Sequence, residues 1–282
     1  MRGPLTGLLA LTWHIARRRR AFLLIVTLAP VLALAAILEV TIAIVTLNPD
    51  TLETRARYAL TPIGGAFLGP GYGTQSYGVP QLVTNEFTIP FTVVLALALI
   101  TLTVRHTRAN EDSGRLELLH ASPVGILAPG GAPILMAGIV TAATIVGSTT
   151  IATVRHFAFT DAFVACVAIG TNALLWGAFG VFAAQVCHSA RSARLLSIGA
   201  LMIAYTMRAL GDMWRPHGSL LSWLSPLSWA HQTRAFVDLR LWPIALNIPA
   251  FLLVAAASIF VTVRRDFGLR PPRKERARPQ RP

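Results

Sequence analysis

AFLLIVTLAPVLALAAILEVTIAIVTL, running from Ala21 to Leu47, decides the fold. It holds a single charged side chain, Glu39, and is longer than the roughly 20 residues with which a helix crosses the ~30 Å hydrocarbon core of a bilayer. In that medium each backbone amide must be satisfied within its own segment, so the run reads as a membrane-spanning helix. Five further windows share the pattern, at about 87–104, 131–154, 161–187, 195–210 and 243–263. The window at 195–210 is short and closes on Arg208 and Asp212, which leaves open a five-span chain with an interfacial segment there.

Composition agrees with the windows. The chain is 54% hydrophobic and 13% charged, with mean hydropathy +0.59, outside ordinary soluble usage. The expected fold is therefore all-α: a polytopic membrane protein with six transmembrane helices, an N-terminal interfacial helix and a short cytoplasmic coupling helix. Residues 1–265 form the transmembrane domain, and 266–282 form a basic tail, rich in Pro and Arg, for which disorder is expected.

Lys and Arg accumulate on the cytoplasmic flanks of spans. With six spans and an inside N-terminus, the inner side receives Arg2, the run Arg17 to Arg20, the loops around Arg105 and Arg191, and the tail, or 18 of the 25 basic residues. Both termini are thus expected on the cytoplasmic side of the cell membrane. The first apolar run is too long for the h-region of a signal sequence and lacks a small-residue cleavage site before Asn48, so it reads as an uncleaved span. A net charge of +13 and a pI near 11.4 would point to nucleic acid in a soluble chain. Here the basic residues flank apolar spans, and anionic lipid head groups are the expected partner, with no nucleic acid.

The pieces outside the spans carry their own signals. Leu5 to Arg20 places Leu8, Leu9, Leu11, Trp13 and Ile15 ahead of four arginines, which suits a helix at the inner interface. The outer loop at about 48–86 contains too many Gly and Pro residues to be one regular helix, and reads as a lid or re-entrant stretch. The loop at about 211–242 concentrates Trp214, Trp223, Trp229 and Trp242, as an interfacial aromatic belt does. Cys166 and Cys187 sit near opposite ends of one expected helix, roughly 30 Å apart at ~1.5 Å per residue, beyond disulfide reach. The seven histidines include no pair at the i, i+4 spacing of a helical zinc site, so no metal is expected.

The inner loop from Arg105 to Val124 is the most distinctive stretch. At helical spacing Arg108 faces Asp112 and Glu111 faces Arg115, while Leu116 and Leu119 form an apolar stripe and Pro123 ends the helix. Read from residues alone, this is a short charged helix parallel to the inner surface, serving either as a docking element or as a plain connector.

The pattern Glu111-Asp-x-x-Gly114-Arg-x-Glu117-Leu-Leu-x-x-Ser-Pro-Val124 resembles the coupling segment of ABC-2 type exporter permeases. Five more stretches are similar to the actinobacterial antibiotic-exporter permeases of the tetronasin-resistance type: Asn48-Pro-Asp50, Val104 to Arg108, Arg208-Ala-Leu-Gly-Asp212, Leu224 to Arg234, and Arg264 to Gly268. The first motif departs from the family in carrying Asp112 where a second Glu is usual. Those permeases often join two six-span halves in one chain, whereas one half is present here. The resemblance therefore implies a second permease half, a copy of this chain or a sister permease.

It also implies an ATP-driven exporter of amphiphilic or hydrophobic compounds such as antibiotics. A P-loop needs a lysine to reach the nucleotide phosphates, and the sole lysine, Lys274, lies in the tail. These residues bind no cofactor on this reading, and a separate ATPase subunit would hold ATP and Mg. Its docking residues would be Arg108, Glu111, Asp112, Gly114, Arg115, Leu116, Glu117 and Leu119. Glu39, an acid within an apolar span, is the candidate for the substrate pathway; the alternative places it near the outer head groups. Two other classes remain: an ion-coupled carrier or channel without an ATPase, and an intramembrane enzyme using Glu39, Asp161 or His156.

Overall fold

The computed structural model describes residues 5–112, 125, 127–215 and 217–267, and every regular element among them is helical. In chain order these are α1 (Leu8–Leu47), α2 (Asp50–Ala59), α3 (Pro62–Leu68), a 3-10 turn (Thr74–Ser76), α4 (Val79–Asp112), α5 (Ala128–Val154), α6 (Phe159–Val186), α7 (Ala190–Trp214), α8 (Leu220–Leu224), α9 (Ser228–His231), α10 (Trp242–Ala245) and α11 (Asn247–Phe267). Six helical stretches are long and apolar enough to cross a membrane: α1, α4 to Thr107, α5, α6, α7, and Trp242–Arg264.

Each expected window matches one of these helical stretches to within a residue of lying inside it, but two boundaries move. The second span begins at Val79 rather than near 87, because Thr84 and Thr88 return their hydroxyls to the carbonyls of Pro80 and Thr84 and add no unsatisfied polarity. The fifth runs through Arg208 and Asp212 instead of stopping at them, which removes the five-span alternative on length. The N-terminal segment joins the first span as one helix that breaks at Arg19 (φ −121°, ψ 20°), within the arginine run. The expected division between a basic, amphipathic lead and an apolar span thus falls at a backbone kink.

Helices α4 and α6 form the centre: 56% of the residues in their apolar stretches are buried within the chain, against 11% in α1 and α11. Small residues permit that closeness. A Cβ added at Gly180 of α6 would come within 2.5 Å of the Thr103 hydroxyl of α4. Around this pair, α5 packs on α6 with α1 on its other side, α7 packs against α4 and α6, and α11 lies along α6.

The ends of the bundle differ in kind. Both described chain ends, the end of α4, the start of α5 and the connection 187–189 lie at one end, here termed proximal; α2, α3 and α8 to α10 gather at the opposite, distal end. Residues 48–78 form no single helix, as their glycines and prolines dictate. Instead, α3 starts on Pro62 with the Thr61 hydroxyl accepting from Gly64 N–H at 3.0 Å, a cap that suits an abrupt start.

Candidate functional site

The distal end is built around buried polar side chains from distant parts of the chain. In α7, Arg208 and Asp212 sit one turn apart and pair at 3.3 Å with both side chains at zero exposure. Asp212 accepts a second bond from the Ser222 hydroxyl at 2.6 Å, and Arg208 donates to the Ala66 carbonyl of α3 while lying over the Tyr205 ring. Close approach makes this possible, since a Cβ on Gly211 would meet the Ser222 backbone nitrogen at 2.4 Å. The charged pair is therefore satisfied on several sides, the condition under which a buried ion pair is tolerated.

Tyr72 anchors a second layer. Its amide and carbonyl bond to the Asn85 side chain of α4, and its hydroxyl donates to Gln232 Oε1 at 2.7 Å. One face of its ring stacks on His217 at 5.3 Å, and the Arg234 guanidinium lies 4.4 Å from its centroid. Burial raises the Tyr72 hydroxyl above its ordinary range, against a downward pull from Arg234. Burial, reinforced by the cation at Arg208, pushes His231 down to about 3, so its imidazole is neutral and its Nε2 faces the Thr84 carbonyl at 3.2 Å. A third anchor lies deeper: Asn172 of α6, fully buried, donates to the Pro226 carbonyl at 2.6 Å and to Asn247 Oδ1 at 3.2 Å. Thus Arg208 to Asp212 and Leu224 to Arg234, two stretches singled out in the sequence, meet in one cap.

The cap has the character of a fastening and not of an enzyme centre. His231 and His217 each address a backbone carbonyl, and Ser222 points its hydroxyl at an acid already paired with arginine. Two other groups considered from sequence lie elsewhere. Asp161 accepts from the Phe236 amide at 2.7 Å, and His156 occupies a left-handed backbone position (φ 63°) just past the end of α5.

Below the cap, α1, α4, α5 and α6 enclose a cavity in which the centre of a water-sized sphere has about 80 Å³ of room, against the roughly 10–15 Å³ that one water needs. Its wall is mostly aliphatic and aromatic, with Leu34, Phe87, Phe91 and Ile169 as half-buried members. Glu39 does not line it. That carboxylate pairs with Arg155 at the distal end of α5, and both side chains remain about half exposed in the single chain. The acid that looked solitary in its span has a partner from a connection too far along the sequence for spacing to reveal.

The expected coupling residues cannot be placed by their side chains. Arg108, Glu111 and Asp112 belong to the last turn of α4 as backbone, while Gly114, Arg115, Leu116, Glu117 and Leu119 lie outside the described residues, as does the tail from 268 onward. The cap and the cavity were missed as sites by the sequence reading. Their faint signal was the clustering of Ser, His and Gln beside tryptophans in 217–232.

Comparison with known proteins bears on this architecture directly. Over 232 residues the chain is 31% identical to the multidrug efflux system permease protein Rv1217c of Mycobacterium tuberculosis, an alignment covering 79% of this chain and 40% of the relative. The chain is similar to an efflux permease. It spans about two fifths of the length of that relative, and no family model matches it. The six apolar helices and this likeness together describe a multi-pass membrane protein.

Proposed function

We propose that this chain is a permease half of the ABC-2 type, working in an ATP-driven exporter that moves amphiphilic or hydrophobic compounds out of the cell. The observation that carries this reading is the likeness to an efflux permease extending over 79% of the chain but 40% of the relative, the proportion that one of two joined halves would give. The resemblance to tetronasin-resistance permeases makes antibiotics the first substrates to test. On this proposal a separate ATPase holds ATP and Mg, a second half completes the pathway, and the membrane is the cell membrane with both termini cytoplasmic.

The test is purification of the tagged chain from its own cells in mild detergent, together with ethidium accumulation in those cells. An ATPase subunit should co-purify, and deletion of the chain should raise accumulation in a manner that follows cellular ATP. A chain that purifies without a nucleotide-binding subunit, with efflux that follows the proton gradient instead, would establish the ion-coupled carrier.

A further inference from the structure

We infer that the cavity between α1, α4, α5 and α6 is a binding site for the apolar end of an amphiphilic small molecule, of roughly six to eight non-hydrogen atoms, entering from the bilayer core. Three features of the wall select that chemistry. No charged residue lines it. Thr84, Thr88 and Thr144 face it, but each already donates its hydroxyl to a carbonyl of its own helix at 2.6 to 2.9 Å. Ser148 adds one further hydroxyl to the wall. A polar group entering would lose its water and find that single hydroxyl to replace it, whereas mostly apolar cavities of this kind take up hydrocarbon groups. The size follows from the volume: about 80 Å³ corresponds to roughly six waters' worth of space.

Two details give the site direction. Its distal edge is closed by Phe157 and Phe236, whose rings meet edge to face at 5.6 Å. Phe236 is held in the left-handed region (φ 66°), its amide donating to Asp161 of α6 and its carbonyl accepting from Gln81 of α4 at 2.8 Å. A bulky residue in that region is uncommon and persists only where the surroundings enforce it, and here two spans enforce it on the ring that roofs the cavity. Beside the same edge lies the Glu39–Arg155 pair: Glu39 follows the lining residue Leu38, and Arg155 lies one helical turn beyond the lining residue Ala152. A ligand with its hydrocarbon end in the cavity would keep its polar head at this ion pair. The inference deepens the export reading by placing a substrate contact within one half of the permease, yet the binding itself needs neither ATP nor partner.

Cys166 lines the cavity, and Cys187 caps the proximal end of α6, so the chain carries its own reporter. The protein bearing Cys187→Ser is reconstituted in nanodiscs and alkylated with N-ethylmaleimide in the presence of ethyl-, hexyl-, octyl- and dodecylammonium. Protection of Cys166 should saturate, reaching about tenfold when the probe is tenfold above its dissociation constant, and should rise to octyl and then stop. Ala165→Leu should abolish protection by filling the space, and Ile169→Ala should move the cut-off to longer chains. The Cys166→Ser protein, labelled at Cys187, should show no protection. Protection that climbs steadily through dodecyl, or is the same in all variants, would be a bulk bilayer effect and overturn the site; so would absence of protection, the result expected if a lipid chain fills the cavity permanently. Intact protection together with ethidium accumulation that is unchanged by deleting the chain would count against the export reading alone.

Discussion

A buried charge in a membrane helix is tolerated only with its partner, and Arg208 makes the point. It donates to Asp212 and to the Ala66 carbonyl, so removing Asp212 leaves an uncompensated guanidinium at zero exposure. Such losses cost about 3–5 kcal/mol, whereas replacing both members by apolar residues of similar volume is often neutral. Asp212→Ala should therefore sharply lower the unfolding temperature of the detergent-solubilised protein, and Arg208→Met with Asp212→Leu should recover most of it; equal losses in both would show that the pair is not the cause. His231 gives a second prediction. Its folded pKa, about 3, lies below the ordinary 6.5, so folding favours the neutral ring. The unfolded chain binds the extra proton between those values, and stability is full above pH ~6.5 and falls as pH drops toward 3, by up to about 1.4 kcal/mol per unit. Unfolding midpoints between pH 7.5 and 5 should decline less steeply in His231→Gln than in the native protein.

Among the elements, the spans were legible because each depends on one local property, an apolar window with at most one charged residue, which the bilayer turns into a helix. What the sequence withheld was set by distance along the chain. The Tyr72 hydroxyl meets Gln232, Asn172 meets Asn247, and Glu39 meets Arg155, and no spacing rule joins residues so far apart. Phe236 and Arg234 were invisible for another reason, since tertiary bonds override the ordinary reluctance of such residues to adopt positive φ. The coupling helix expected from about Arg108 to His120 was read from charge pairing and resemblance, and it defines the third prediction. If the helix expected from about Arg108 to His120 docks on an ATPase, Leu116, Leu118 and Leu119 supply burial while Arg108, Glu111, Asp112, Arg115 and Glu117 set orientation. Reversing a desolvated charge of this kind costs about 2–5 kcal/mol, enough to separate subunits. Glu111→Lys and Leu119→Asp should reach the membrane at native levels yet lose substrate-stimulated ATP hydrolysis and recovery of the complex. Native values for both quantities would make this helix a connector.

At the scale of the whole molecule, the distribution of charge and the layered burial have to be consistent with one orientation. The distal end carries the buried cap and a minority of the arginines, among them Arg55, Arg57, Arg155, Arg234 and Arg240, several of which are paired locally: Arg55 with Glu86, Arg57 with Glu53, and Arg240 with Asp238. The proximal end holds the run Arg17 to Arg20 together with Arg105, Arg191 and Arg194, and the basic tail continues from it. Orientation follows the number of Lys and Arg residues near the span ends and not their net charge, so these local pairs leave the asymmetry of the bare count as it stands. The proximal end should accordingly face the cytoplasm. A reporter that is active only in the cytoplasm should work when fused after Arg270 and fail when inserted between Pro70 and Tyr77, and a cysteine introduced at His156 should react with an impermeant maleimide in intact cells. Activity of the tail fusion only outside the cell would invert the molecule, place the cap on the cytoplasmic side, and remove the docking role from the end of α4, because an ATPase could no longer reach it.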